Sequence, residues 1–224
     1  DREEVLLAAA KEGVARMYLP NIDRSSIPAL LQLESRHANS CRAMMGLHPC
    51  SVDAGYKEQL QEVEHWLRQR PFAAVGEVGL DYYWDQTFAP QQKEAFELQV
   101  QWARELQLPV VIHSRNSTAD CIEIIRKYQD GNLRGIFHCF GGSLEEAQQI
   151  IDLEFLLGIG GVITFKNAGL DQIVSQLPLS AMVLETDAPY LSPVPFRGKR
   201  NQPAYLLYVA EKLAQVQQCT VAEV

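Results

Sequence analysis

The chain has few of the features that mark membrane, secreted or disulfide-stabilised proteins. Its longest apolar run lies near residues 155–162, far short of the roughly 20 residues that a membrane helix needs. No charged leader followed by an apolar segment opens the chain, so we expect neither a signal peptide nor a membrane partner. Five cysteines are present, an odd number, and none of them forms a Cys-x-x-Cys pair. A disulfide framework and a thiolate zinc finger are therefore not indicated, and we expect a cytoplasmic protein.

Basic residues are also scarce. The 20 lysines and arginines stand against 28 aspartates and glutamates, which gives a formal net charge of −8. An acidic surface repels polyanions at long range, so a protein that coats DNA regardless of sequence is excluded. A local basic patch or a metal ion can still bind a single phosphate.

Two common motifs of α/β enzymes are missing as well. No Gly-x-Gly-x-x-Gly follows an apolar run, which argues against a dinucleotide-binding sheet. No Gly-x-Ser-x-Gly elbow is present, which argues against a serine hydrolase.

Short apolar runs alternate with amphipathic stretches along the chain, and this alternation predicts βαβ units with a parallel sheet. The runs are continuous rather than alternating, as in strands buried on both faces. Seven strands are predicted, at residues 14–19, 42–47, 72–80, 109–113, 134–137, 155–160 and 181–185. Helices are predicted at residues 2–11, 56–70, 91–106, 120–128, 144–153 and 204–216.

The chain opens on a helix with no strand before it, and seven strands plus one missing strand make eight. We therefore expect a (β/α)₈ TIM barrel that lacks its first strand, with an open doubly wound sheet as the alternative. Ser143 and Glu146 form a capping box at the start of one predicted helix. No linker rich in Pro, Gly or Ser divides the chain, so one domain over residues 1–224 is predicted.

Ionisable residues stand near the carboxyl ends of the predicted strands. In a parallel barrel these ends meet at one rim, where active sites lie. Any one of them could be an ordinary hydrogen-bonded residue at a strand end, but several on one rim favour a site. They are His48, Glu77, Asp81, His113, His138 and Asp187. Imidazoles together with carboxylates suit Zn²⁺, Mn²⁺ or Fe²⁺, and a carboxylate can bridge two metal ions that activate water.

Six motifs resemble, in order and spacing, those of the TatD-type metal-dependent DNases, which are amidohydrolase-like TIM barrels. They are GLHP (46–49), GEVGLDYYW (76–84), HSR (113–115), HCFGGS (138–143), GIGGVITFKNA (158–168) and ETDAPYLSPVPFRGKRNQP (185–203). The resemblance implies a hydrolase of ester bonds that cleaves phosphodiesters with metal-activated water. It implies two divalent ions, Mg, Mn or Zn, and a DNA or nucleotide substrate. A compact pocket on an acidic protein suits DNA ends or short strands.

The resemblance also implies a role for each site residue. Glu77 would be the shared metal ligand, His113 and His138 would bind one metal ion, and Asp187 would be both a ligand and the catalytic base, so that Asp187 and Glu77 are the catalytic pair. The residues expected to contact the substrate phosphate are His48, Arg115, Arg197, Lys199 and Arg200.

One departure from the family stands out. The family begins with a strand carrying Asp-x-His-x-His, whose histidines bind the first metal ion, and no His-x-His occurs in this sequence. We expect that the chain is incomplete at its start, and that part of its last helix is also missing. Two other functions stay open: a metal-dependent hydrolase of carboxyl or amide substrates, and a non-catalytic barrel if the motif is truly absent.

Two smaller signals have alternative interpretations. Tyr82, Tyr83 and Trp84 follow Glu77 and could either stack on a nucleic-acid base or pack at the rim. Cys139 follows His138 directly, and neighbouring residues of a strand point to opposite faces. The sequence therefore argues against the two acting together.

Overall fold

The computed structural model describes residues 1–224 and alternates helices with short strands. The strands are β1 (Met17–Leu19), β2 (Cys41–Ala43), β3 (Val75–Asp81), β4 (Val110–Arg115), β5 (Gly135–Phe137), β6 (Leu156–Ile159) and β7 (Met182–Leu184). The helices are α1 (Arg2–Lys11), α2 (Ile27–Arg36), α3 (Tyr56–Gln69), α4 (Ala89–Leu106), α5 (Thr118–Tyr128), α6 (Leu144–Asp152), α7 (Leu170–Val174) and α8 (Leu206–Gln217). Each predicted strand has a counterpart, so the parallel α/β prediction is confirmed.

Two helices were not predicted. Helix α2 has a proline in its first turn, where the missing N–H costs nothing. Helix α7 has only five residues, too few to show a helical period. The predicted capping box is confirmed: the Ser143 N–H donates to the Glu146 carboxylate (2.8 Å), and the Glu146 N–H donates to Ser143 Oγ (3.2 Å).

The chain falls into two compact units. We call Arg16–Phe137 with Asp152–Phe155 the β1–β5 unit, and Asp1–Ala15 with His138–Ile151 and Leu156–Val224 the β6–β7 unit. The prediction of a single domain over residues 1–224 stays a prediction. No helix in the structure is both long enough and apolar enough to cross a membrane.

Strands of the β1–β5 unit lie side by side in chain order and are all parallel. Met17 of β1 pairs with Cys41 of β2, and Val110 of β4 pairs with Gly135 of β5. A parallel bridge between Met45 and Val75 joins the segment after β2 to β3. In the β6–β7 unit the two strands are also parallel, with Leu157 opposite Met182. Chain-order, parallel pairing is the connection pattern of singly wound α/β proteins.

Strand β3 is the most deeply buried element of its unit, since all seven of its residues are buried. Helix α4 fixes the strand's carboxyl end: the Gln92 side-chain oxygen accepts the Asp81 N–H (2.9 Å). A hydroxyl from the start of the next helix does the same, because Ser117 Oγ donates to the Leu80 carbonyl (2.7 Å). Strand β3 carries two carboxylates, Glu77 and Asp81. Burying a carboxylate is unfavourable unless it has a hydrogen-bond or ionic partner, so the partners of these two residues define a candidate site.

Candidate metal centre

In the β1–β5 unit, strand register brings a histidine between two carboxylates. Glu77, Gly79 and Asp81 share one face of β3, and His113 of β4 lies opposite Gly79. His113 Nδ1 is 3.0 Å from Glu77 Oε1, and His113 Nε2 is 2.8 Å from Asp81 Oδ2. Gly79 is required here, because its φ is +141° and an added Cβ would collide with the His113 backbone. The register therefore forms a carboxylate–imidazole–carboxylate chain.

The pKa of His113 and the pKa of Asp81 depend on each other. Burial alone would lower the pKa of His113, but its hydrogen bonds to Asp81 and Glu77 outweigh burial and raise that pKa. Burial would raise the pKa of Asp81, but the His113 hydrogen bond and the N–H groups of Trp84 and Tyr83 hold it well below its usual range. The Asp81 carboxylate is therefore ionised, and both carboxylates favour the protonated form of His113; a metal ion bound to the imidazole would take the place of that proton.

His48 completes this cluster from the loop after β2. Its Nδ1 accepts the Cys50 N–H (3.1 Å), so the neutral ring carries its proton on Nε2. Nε2 lies 3.7 Å from Glu77 Oε1, and the ring centroid is 4.6 Å from that of His113. The ligand atoms of His48, Glu77 and His113 all lie within 4.8 Å of one another. With Nδ1 engaged, His48 presents an N–H donor, and its role in binding substrate stays a prediction.

A second cluster forms in the β6–β7 unit. His138 Nδ1 is 2.9 Å from Glu185 Oε2, and the same oxygen accepts the Cys139 N–H (3.0 Å). His138 Nε2 lies 3.5 Å from Asp187 Oδ1. When one ring nitrogen donates to a carboxylate, the other is left as a lone pair aimed at its neighbour. His138 and Asp187 thus present an N/O pair at a separation typical of two ligands of one ion.

Gly158 of β6 and Gly160, just after that strand, make the space for Glu185. A Cβ on Gly158 would collide with Glu185 Oε2, and a Cβ on Gly160 would come within 3.1 Å of Oε1. Glu185 Oε1 is buried and has no hydrogen-bond partner. A buried carboxylate oxygen without a partner is costly, and a cation is the partner that such an oxygen suits. The residues of this cluster therefore fit a divalent metal ion.

The loop after β7 holds Asp187 in a left-handed conformation, with φ +49°. Asn201 is 2% exposed, and its side-chain amide donates to the carbonyls of Thr186 and Tyr190. The Asn201 N–H donates to the Pro189 carbonyl (3.0 Å). These bonds tie the loop on both sides of Asp187 and fix the direction of its carboxylate.

The basic residues predicted to contact phosphate are in several environments. The Arg115 guanidinium lies over the Tyr83 ring (3.8 Å), and that of Arg197 lies over Phe165 (3.8 Å). Lys199 and Arg200 are exposed in the loop after Asp187. Arg200 forms an ion pair with Asp1. The structure therefore places Arg115 in the β1–β5 unit beside His113, and the other three basic residues in the β6–β7 unit.

Sequence reasoning missed three contributors. Asp81 was noted at a strand end but not included among the ligands, and Glu185 was not assigned, although it directly follows β7. The sequence analysis placed Cys139 and His138 on opposite faces of a strand, and this placement was wrong. Strand β5 ends at Phe137 and Cys139 has a φ of +47°, so strand alternation does not apply. The ligand atoms of His138, Cys139 and Glu185 lie within 4.8 Å of one another.

The chain is similar to several known metal-dependent hydrolases. The family model described as TatD related DNase matches residues 1–224. The chain is 37% identical to an uncharacterised metal-dependent hydrolase of Bacillus subtilis, YabD, over 100% of this chain and 88% of the relative. It is 31% identical to the 3′-5′ ssDNA/RNA exonuclease TatD of Citrobacter koseri, over 96% of this chain and 84% of that protein.

Among solved structures, the TatD homologue YjjV of Escherichia coli matches with a TM-score of 0.94 and 28% identity, over 100% of this chain and 86% of that one. This match confirms the predicted α/β fold of TIM-barrel type. The chain belongs to the TatD-related family of metal-dependent hydrolases.

Proposed function

We propose that this protein hydrolyses phosphodiester bonds in DNA, acting on strand ends or short single strands. The observation that carries the proposal is the pairing of a carboxylate with an imidazole in each unit: the buried Glu77 with His113, and the partly exposed Asp187 with His138. The relative named as a 3′-5′ ssDNA/RNA exonuclease supports the choice of substrate.

Within the β1–β5 unit Glu77 and His113 would be ligands of a divalent metal ion, and within the β6–β7 unit His138 and Asp187 would be. Bound divalent ions supply a Lewis acid that polarises the phosphate and an activated water nucleophile. Asp81 and Glu185 stand behind the two histidines and fix which ring nitrogen faces the site.

The other residues act on the substrate and on the proton. The Asp187 carboxylate accepts the proton of the attacking water, and its orientation is held by Asn201. His48 donates its Nε2 hydrogen to a phosphate oxygen. Arg115 lies over the Tyr83 ring and forms no ion pair with a carboxylate in the structure. Its guanidinium can therefore donate charge-assisted hydrogen bonds to the phosphate. Arg197, Lys199 and Arg200 add positive charge beside Asp187.

The experiment compares wild type with Glu77→Gln and a control, Glu123→Gln. Glu123 is exposed on α5. Substrates are an end-labelled single-stranded oligonucleotide, a chromogenic phosphodiester and a panel of carboxyl esters and amides, each with Mg²⁺, Mn²⁺ or Zn²⁺. We expect Glu77→Gln to lose cleavage about 100-fold or more, because it removes a ligand charge, while Glu123→Gln keeps wild-type rates.

Metal titration by calorimetry gives a second measurement, in which Glu77→Gln binds the ion more weakly than wild type. Wild-type cleavage by Glu77→Gln would reject the site. Turnover of carboxyl substrates without turnover of any phosphodiester would reject the substrate class.

A further inference from the structure

An exposed aromatic surface lies directly after β3. Tyr83 is 51% exposed and Trp84 is 69% exposed. Their rings meet edge to face at 4.8 Å, and the Arg115 guanidinium lies 3.8 Å from the Tyr83 ring centroid and 5.3 Å from that of Trp84. We call Tyr83, Trp84 and Arg115 the aromatic platform. Large exposed aromatic rings are uncommon on a soluble protein and more often mark a binding surface.

The platform is tied to the candidate metal centre through one buried side chain. Asp81 is 1% exposed, and its Oδ1 accepts the N–H groups of Tyr83 (2.9 Å) and Trp84 (3.1 Å). Its other oxygen, Oδ2, is bonded to His113. Asp81 and Arg115 also pair in the register between β3 and β4. A single carboxylate therefore fixes both a metal-site histidine and the backbone that presents the two rings.

The neighbouring tyrosine shows that the exposure is selective. Tyr82 is half-buried and donates its hydroxyl proton to Asp120 of α5 (2.8 Å). Packing at the rim, one of the two interpretations drawn from the sequence, thus applies to Tyr82. Tyr83 and Trp84 remain on the surface, where their rings contact each other and the Arg115 guanidinium.

We infer that the aromatic platform is a nucleobase subsite for single-stranded nucleic acid, an inference that rests on the proposed function. An unpaired base offers a π-face that stacks on an exposed indole, and the phosphate next to it pairs with a guanidinium. Bases inside a duplex have no free face, so the platform selects unpaired nucleotides. The net charge of −8 gives little long-range attraction for DNA, so short-range stacking supplies affinity that the overall charge does not.

Binding is tested first without catalysis, in EDTA, with a short oligodeoxythymidylate as the probe and an abasic strand of equal length as the comparison. The chain has three tryptophans, and Trp84 is far more exposed than Trp102, which is 4% exposed. We expect the oligodeoxythymidylate to quench tryptophan fluorescence saturably. Trp84→Ala should remove this quench and raise Kd about tenfold, the effect of losing one base stack.

The controls separate stacking from other effects. Trp84→Phe keeps an aromatic face and should bind within about twofold of wild type. Trp66→Phe should leave both the quench and Kd unchanged, because Trp66 lies on α3 with its indole N–H bonded to Glu62. Affinity for the abasic strand should be the same in wild type and Trp84→Ala.

Kinetics provide the second arm. Trp84→Ala should raise KM for the oligonucleotide about tenfold and leave turnover of methyl 4-nitrophenyl phosphate unchanged. Equal quench and equal Kd in wild type and Trp84→Ala would overturn the subsite, even with nuclease activity intact. If wild type cleaves no phosphodiester at all, the proposed function fails, and the binding arm still decides the platform.

Discussion

Replacing Asp81 by Asn removes a buried charge while keeping the side chain's size. The Asp81 carboxylate accepts two backbone N–H groups and meets His113 at 2.8 Å. An asparagine can still accept the two N–H groups, but it presents no ionised oxygen to the imidazole. The substitution therefore isolates the interaction between Asp81 and His113.

The expected loss follows from the charges. Both groups are largely buried, with side-chain exposures of 18% for His113 and 2% for Asp81. A hydrogen bond to a charged group contributes about 1.5–3 kcal/mol, so we expect the free energy of unfolding to fall by about 2 kcal/mol. For a chain of this size that corresponds to a decrease in Tm of about 4–8 °C.

The loss should depend on pH within a defined window. The pKa of Asp81 is lowered from 3.8, so its stabilisation is present above pH 3.8 and disappears as pH falls through the lowered value. The pKa of His113 is raised from 6.5, so its stabilisation is present below pH 6.5 and disappears as pH rises through the raised value. The stabilisation from Asp81 and that from His113 are therefore both fully present between pH 3.8 and pH 6.5.

Urea unfolding of wild type and Asp81→Asn in EDTA, followed by circular dichroism across this range, tests the prediction. The difference in unfolding free energy should be greatest near about pH 5.5 and should shrink toward both acid and alkaline pH. A difference that is flat with pH would refute the charge pairing. A difference that grows with alkaline pH would show that neutral His113 is the form Asp81 stabilises.

Two further substitutions test the β6–β7 unit. Gly158→Ala places a Cβ against the Glu185 carboxylate, so calorimetry should show about 10–100-fold weaker metal binding, while Gly141→Ala, where a Cβ meets nothing within 4 Å, should bind as wild type. Asn201→Ala leaves the Thr186 and Tyr190 carbonyls without their amide donor, so urea unfolding should show a loss of about 1–3 kcal/mol; an unchanged midpoint would show that these bonds do not hold the loop.

The alternation of strands and helices could be read from local patterns, because burial on both faces selects continuous apolar runs such as that of β3. The predicted helix ends agree with the structure within a few residues. Helix α7 was missed because five residues carry no period. The sequence also predicted ionisable residues near the carboxyl ends of strands. His138 directly follows β5 and Asp187 follows β7, whereas Glu77 lies within β3 and His113 within β4.

The sequence by itself determined which residues are ionisable, which runs are buried, and where each run ends. Only the tertiary structure decided which carboxylate meets which imidazole. His113 lies between Glu77 and Asp81 because the register of β3 and β4 sets it opposite Gly79. Glu185 meets His138 because Gly158 and Gly160 leave room for its side chain. Register and turn geometry depend on residues far apart in the chain, so no local pattern encodes these pairings.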